Sequence, residues 1–298
     1  MNLGLDIGGT KTLGVVVDDD GAIRAEVREP TEPGADGVVR TAASVVAALG
    51  AATGEPLTGG VGIGIPGLVD HANGAVKHAV NLGLEGEWFR LGDLLGERLG
   101  VRVVVENDVN AAALGAVALG GGDDLVYLSI GTGLAAGLML DGVVRRGEHG
   151  AAGEIGHIAV DAAGVPCQCG QRGCLETIAS GSAIASTWPA GSGAASPAHA
   201  LFAAAQSGDA RAVAARDRFA AGVASAIRVL SLAVDPTSVV LGGGVAKLGE
   251  SLREVVAQAL LDQAAGSAFL TSLDLAGRLR VVPADHPVAA VGAAFLGR

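Results

Sequence analysis

One phrase occurs twice in this chain, and it constrains the fold more than any other feature. Leu5-Asp6-Ile7-Gly8-Gly9-Thr10 returns 123 residues later as Leu128-Ser129-Ile130-Gly131-Thr132-Gly133. Each copy joins two apolar runs through a glycine turn: Leu3–Ile7 to Lys11–Val17, and Leu125–Ile130 to Leu134–Leu140. Apolar, β-branched runs on either side of such a turn predict hairpins. A second turn follows each, Asp18-Asp19-Asp20-Gly21 and Asp141-Gly142, and then a third strand, Ala22–Glu29 and Val143–Arg145. A meander repeated with the same grammar predicts a duplicated α/β unit. The 298 residues suffice for about two domains at the usual domain size.

The stretches after each meander alternate in period. Gly37–Leu49 has helical spacing, with Val38, Val39, Ala42, Val45, Val46 and Leu49 on one face. Gly60–Ile65 and Arg102–Val105 read as strands, Leu91–Leu99 as a helix closed by Gly100, and Val109–Leu119 as a helix. Residues 179–210, rich in Ala, Ser and Gly with Pro189 and Pro197, predict a mobile surface segment with partial helix. Beyond it the pattern predicts a long helix over Ala210–Val234, a strand over Val239–Leu241 and a helix from about Lys247 to Leu261. A strand over Arg280–Val282 and a helix over Val288–Leu296 complete it.

Charge narrows the partners. Lys plus Arg number 20 and Asp plus Glu 31, a net charge of -11. That field repels phosphate backbones and anionic lipid, so no nucleic acid and no membrane is expected as a partner. It still permits a local phosphate site built from backbone N–H groups. The longest apolar run, Leu125–Leu140, contains Gly131, Gly133 and Gly137 and stops at Asp141, short of the about 20 residues a spanning helix needs. Met1–Asp6 has neither a basic stretch nor a cleavage site, so no signal peptide and a cytoplasmic location are expected.

Five motifs carry chemistry. In Asp6-Ile7-Gly8-Gly9-Thr10-Lys11, consecutive turn N–H groups make an anion nest, and Asp6 can hold a hydrated Mg2+; the plain alternative is a hairpin with a polar tip. Gly62-Ile63-Gly64-Ile65-Pro66-Gly67 has the letters of a dinucleotide fingerprint but opens no helix, leaving a close turn beside a substrate or a simple strand exit. Glu106-Asn107-Asp108 joins a strand to a helix. There Asp108 is either an ionised proton acceptor favoured by the helix dipole or an ordinary N-cap. Gly242-Gly243-Gly244 between strand and helix suits an adenosine or phosphate neighbour, and equally any tight crossing. The fifth motif is Gly153-Glu154-Ile155-Gly156-His157 followed by Cys167, Cys169 and Cys174. Three thiolates and an imidazole are the usual donors of a closed structural Zn2+ site, and an odd cysteine count cannot pair off within one chain. Free thiols, or one disulfide with a spare cysteine, are the alternatives, and His149 competes with His157 as the nitrogen donor. Glu176, two residues after Cys174, is pinned by such a site or is a surface carboxylate.

Together these motifs resemble the ROK (repressor, ORF, kinase) family of sugar kinases, from Asp6 to the last helix. The most specific part is Gly153–His157 followed by Cys167-Gln168-Cys169-Gly170-Gln171-Arg172-Gly173-Cys174-Leu175-Glu176. The resemblance implies an α/β, actin-like/RNase H-like ATPase fold of two similar α/β domains with a cleft between them. It implies an N-terminal domain of residues 1–114, to which a helix at about 286–298 returns, and a larger domain of residues 115–285 bearing zinc. It further implies that Asp6, Gly8, Gly9, Thr10, Lys11 and Gly131, Thr132, Gly133 bind phosphates, with Gly242, Gly243 and Gly244 on the adenosine side. Asp108 is then the catalytic base, and Asn107, Glu154, His157 and Glu176 hold sugar hydroxyls, with Gly67 and Asn81 bordering the pocket. His157, Cys167, Cys169 and Cys174 are the implied zinc ligands. The implied reaction uses ATP and Mg2+ to phosphorylate a hexose, glucose at C6 in the first instance, with the protein a dimer or tetramer.

Two departures bear on that expectation. Ala135 and Ala136 follow Leu134 where many relatives are glycine-rich, and Val80 stands before Asn81 where relatives often have proline. The second bears on sugar identity: mannose, fructose and an N-acetylhexosamine stand beside glucose, and polyphosphate beside ATP as donor. A sugar sensor without catalysis and a zinc-stabilised interaction module are the readings of other classes. No helix-turn-helix segment precedes the first strand, so a repressor is not expected.

Overall fold

The computed structural model describes residues 1–19, 21–54, 59–189 and 196–297. Strands β1 (Asn2–Ile7), β2 (Lys11–Val17) and β3 (Ile23–Pro30) form the expected meander. Their antiparallel register sets Leu5 opposite Gly14 and Ile7 opposite Thr12. Asp20, in the turn expected before β3, lies outside the described residues. Helix α1 (Ala35–Thr53) is followed by β4 (Val61–Ile65), the small hairpin β5 (Leu68–Asp70) and β6 (Ala75–Lys77), and α2 (Leu91–Leu99). Next come β7 (Val103–Asn107) and α3 (Asp108–Ala116).

The pattern then restarts with β8 (Leu125–Ile130), β9 (Leu134–Leu140) and β10 (Val143–Val144). Helices α4 (Gly181–Thr187), α5 (Pro197–Gln206) and α6 (Ala210–Val234) precede β11 (Ser238–Gly242). Helices α7 (Glu250–Ala264) and α8 (Ala268–Ser272), strand β12 (Leu279–Val281) and helix α9 (Val288–Leu296) complete the order. The first sheet runs β3-β2-β1-β4-β7 and the second β10-β9-β8-β11-β12. Each is thus a meander whose inner strand pairs in parallel with β4 or β11, and that strand with β7 or β12. The sequence repeat is realised as the same strand order twice.

Two compact units result: Met1–Asp123 with Gly137–Ala152 and Pro287–Arg298, and Asp124–Ala136 with Gly153–His286. In the first, α1 lays Val38, Ala42, Val45, Val46 and Leu49 against Leu5, Val16 and Ile63. Each large side chain so buried contributes roughly 1.5–3 kcal/mol. Helix α1 has the length and apolarity of a membrane span, but this face is the core of the unit. On the other side of the sheet, α9 packs against Leu13, Val15 and Val17. It sits so close that a side chain at Gly4 or Gly62 would strike its backbone, and one at Gly292 would strike α3 at the carbonyl of Ala111.

Three elements differ from expectation. Helix α3 ends at Ala116 and loosens into a wider turn over Val117–Gly121, where Gly120 leaves helical geometry at φ 84°. The helix expected from Lys247 begins at Glu250, because Gly249 at φ 60° breaks it from a 3-10 turn over Gly244–Leu248. The hairpin of β5 and β6 is too short to show a period. Within 179–210, Ser180 and Ser196 cap α4 and α5, and Ile184, Ala198, Leu201 and Phe202 are buried. The expected partial helix is therefore present with one face packed inward, while Ala185, Ser186, Thr187 and residues 206–210 stay exposed; residues 190–195 of the segment lie outside the described residues.

Candidate active site

In the first unit, the carboxyl ends of three parallel strands lie in a row. Register pairs Asp6 with Gly64, Gly64 with Glu106 and Ile65 with Asn107. Ligands of open α/β sheets bind outside such ends. The turn after β1 closes through Gly8 N–H to the Lys11 carbonyl at 2.9 Å. Gly9 packs on Asn81: a Cβ there would fall 2.8 Å from both the Cβ and the carbonyl oxygen of Asn81. Asn107 Nδ2 donates to the Gly67 carbonyl at 3.1 Å. Gly67 itself has φ 103°, a conformation that favours glycine, and a side chain there would approach the Lys77 carbonyl at 2.6 Å. Asp6, Gly8, Gly9, Gly67, Asn81, Asn107 and Asp108 thus form one rim, with Lys11 close enough for its charge to act on Asp6.

Asp108 is the first residue of α3 and not its cap. The cap is Asn107, whose Oδ1 accepts from the N–H of Val109 at 2.9 Å and of Asn110 at 3.3 Å. One Asp108 oxygen also accepts from Val109 N–H, at 2.9 Å. Burial first, and then the negative charge of Asp108, push the Asp6 carboxyl up to about 7, against a lowering by Lys11. Two carboxyl groups, those of Asp6 and Asp108, therefore interact at one rim.

In the second unit, the turn Gly131-Thr132-Gly133 is held from three sides. The Gly131 carbonyl accepts from Gly181 N–H at 2.8 Å, and the Thr132 carbonyl from Ser182 N–H at 3.3 Å. Glu176 Oε2 accepts from Leu134 N–H at 3.2 Å, directly beneath Gly133. Gly243 lies against Ile130, where a Cβ would come within 2.7 Å of its backbone, so Gly242–Gly244 adjoins the turn. Gly131 and Gly244 face open space.

The cysteine cluster lies beside it. One atom from each of His157, Cys167, Cys169 and Cys174 falls within 4.8 Å of the others. All three thiols are free, with the Cys169 and Cys174 sulfurs 3.7 Å apart. His157, not His149, supplies the nitrogen of this group, with Nδ1 3.9 Å from Cys167 Sγ. The 3-10 turn Ile155–His157 sets His157 Nε2 3.9 Å from Glu154 Oε2. Cys167 Sγ also lies 3.9 Å from Glu176 Oε1, so Glu176 spans cluster and turn. N–H groups of Gln171 hold the Cys169 thiol down to about 6, whereas burial and the neighbouring thiols push Cys174 up to about 12. Three sulfurs and one nitrogen converging in this way fit a tetrahedral Zn2+.

In the sequence alone, Glu106 has no role within its motif and Arg146 is not marked at all. Arg146 Nε donates to Glu106 Oε2 at 2.6 Å across 40 residues. A carboxylate within an apolar strand was the signal available; its partner had none.

The repeated 3-2-1-4-5 strand order, with ligand-facing turns at the strand ends, defines an actin-like/RNase H-like ATPase. A ROK family glucokinase of Streptomyces griseus, solved with glucose and AMPPNP, superposes with a TM-score of 0.80 at 31% identity, covering 99% of this chain and 98% of that one. A glucokinase of Thermotoga maritima is 35% identical over 271 residues, 84% of each chain. An N-acetylmannosamine kinase of Yersinia pseudotuberculosis is 32% identical over 260 residues, 86% of this chain and 87% of that one. The ROK family pattern itself matches residues 2–297, and this chain belongs to the ROK family.

Proposed function

We propose that this protein is an ATP-dependent hexose kinase that transfers the γ-phosphoryl group to a sugar hydroxyl, C6 of glucose in the first instance. The observation that carries the reading is the corner at Asp108. Asn107 is the cap, and Asp108, the first residue of α3, sets its carboxylate at the helix N-terminus on the rim that also holds Asp6, Gly9, Gly67 and Asn81. Asp108 orients the attacking hydroxyl and takes its proton late, since phosphoryl transfer passes through a loose transition state. Asn107 is left one Nδ2 hydrogen for sugar once its bond to Gly67 is made. Glu154, His157 and Glu176 take further hydroxyls, because carboxylates and ring nitrogens suit paired O–H groups.

The turns Gly8–Lys11 and Gly131–Gly133 offer N–H groups to phosphate, and Gly242–Gly244 lies on the adenosine side. Mg2+ keeps most of its waters and takes one or two carboxylates. Asp6 fits that role, as a cation beside it would offset the charge of Asp108. When bound, Mg2+ neutralises phosphate charge. His157, Cys167, Cys169 and Cys174 would hold structural Zn2+, which would lock the His157 ring with Nε2 toward Glu154. Unpaired thiols suit a reducing cytoplasm. Exposed Leu261 and Phe269 supply apolar surface for a homodimer or tetramer. The Yersinia relative favours N-acetylmannosamine as the second candidate sugar.

The test is coupled ADP release with Mg2+-ATP across glucose, mannose, fructose, N-acetylglucosamine and N-acetylmannosamine. Sugar-dependent turnover is expected, falling by orders of magnitude in Asp108→Asn with fold and zinc intact. Near-normal turnover in that variant removes Asp108 as the base.

A further inference from the structure

Glu106 has no role in the chemistry above, yet its surroundings are fully built. It is the next-to-last residue of β7 and is 1% exposed. A carboxylate so far from water is costly unless its lone pairs are answered. Here they are. Oε1 accepts from the main-chain N–H of Asn107 at 2.9 Å and from Nδ2 of Asn110 at 3.0 Å. Oε2 accepts from Arg146 Nε at 2.6 Å and lies 3.5 Å from His71 Nδ1, which also bonds the Val105 carbonyl at 3.0 Å.

The two residues that Oε1 holds, Asn107 and Asn110, flank Asp108. One is gripped by its backbone and the other by its side chain. Glu106 is itself fixed by Arg146, which follows β10 in a loop closed by Ala152 N–H to the Arg146 carbonyl at 3.1 Å. The chain enters the second unit at the next residue, Gly153, and reaches Glu154 at once.

We propose that Glu106 and Arg146 are a positioning pair that sets the aim of the Asp108 carboxylate. The proposal rests on the kinase reading and deepens it. Glu106→Gln separates its parts cleanly. The amide oxygen still serves Asn107 and Asn110, while the NH2 meets the Arg146 guanidinium donor against donor. Arg146→Met removes the same ion pair from the other side. Arg145→Met is the matched control, since among the described residues the Arg145 side chain pairs with exposed Asp141 of the β9–β10 turn and not with Glu106.

The experiment measures kcat and the sugar and ATP KM values of the full-length, zinc-replete protein. The set is wild type, Glu106→Gln, Arg146→Met, their double variant and Arg145→Met, with melting temperatures alongside. A corner misplaced by a fraction of an ångström to an ångström lowers kcat about 10- to 100-fold. Sugar KM should stay within about threefold, because the Asn107–Gly67 bond survives. The double variant should be no worse than the poorer single, as both act through one pair. Wild-type kcat in folded Glu106→Gln overturns the proposal, as does additive loss in the double variant. Variants that only melt earlier, with kcat per folded molecule unchanged, make the pair a stabiliser and overturn it too. Absence of turnover in wild type overturns the kinase reading and this proposal together; an active wild type with unimpaired variants overturns this proposal alone.

Discussion

Gly9→Ala tests whether the phosphate turn and the sugar side of the first unit are one rigid piece. The backbone at Gly9 lies outside the left-handed region, so alanine meets no conformational penalty there; the whole effect is steric. Its Cβ would stand 2.8 Å from Asn81 Cβ and 2.8 Å from the Asn81 carbonyl oxygen. Optimal carbon contacts lie at about 3.5–4.0 Å, so one side must retreat by roughly 0.7 Å or more. Neither atom is the end of a flexible side chain. The 3-10 turn Val80–Leu82 must move as a body, and Leu82 is fully buried and holds Gly34 N–H on its carbonyl at 2.7 Å. Overpacking of this kind costs about 1–3 kcal/mol. Asn81 displaced by such a distance should lower kcat/KM for sugar about 10- to 100-fold. Steady-state rates with sugar and ATP varied in turn, beside a urea titration, measure both effects. Wild-type kcat/KM for sugar together with unchanged stability would refute the coupling of turn and pocket.

Two further outcomes follow from the cluster and the acid pair. Metal analysis should find about one Zn2+ per chain, as for a four-ligand site, and Cys174→Ser should destabilise more than Cys169→Ser, because Cys174 is buried and Cys169 exposed; a metal-free protein of full stability contradicts this. Asp6 is protonated in the folded chain up to about 7 but ionises near 3.8 when unfolded, so its contribution to stability falls as pH rises through that window. Relative to wild type, Asp6→Asn without nucleotide should therefore gain stability between pH 5 and pH 8 in urea titrations; an equal difference at both pH values removes the inference.

The parts of this molecule legible in its sequence are those written in local pattern. The two hairpins, α1 and α6 carry their period on their faces, and Asp209 marks the start of α6 as an N-cap residue should. The cysteine cluster is legible because metal donors must be close in sequence or space, and three lie within eight residues. What stayed hidden depends on distance along the chain or on a choice between neighbours. Asn107 and Asp108 are equally good caps by type, and only the backbone decides that the first one serves. Arg146 is one arginine among many until the fold brings it to Glu106. Gly9 and Gly62 carry motif readings and Gly292 none, but nothing local in the sequence shows that each accommodates another segment's backbone.

The seating of α9 has a consequence for how the chain is made. Helix α9 completes the packing of β1, β2 and α3, yet it follows α3 by more than 170 residues. On a ribosome adding about 5–20 residues per second, the first meander therefore waits some tens of seconds with Leu13, Val15 and Val17 uncovered. Everything the second unit needs from residues 153–286 is synthesised in that interval. The unit that begins first is finished last, and chaperone capture or proteolysis of nascent chains should concentrate on its waiting sheet.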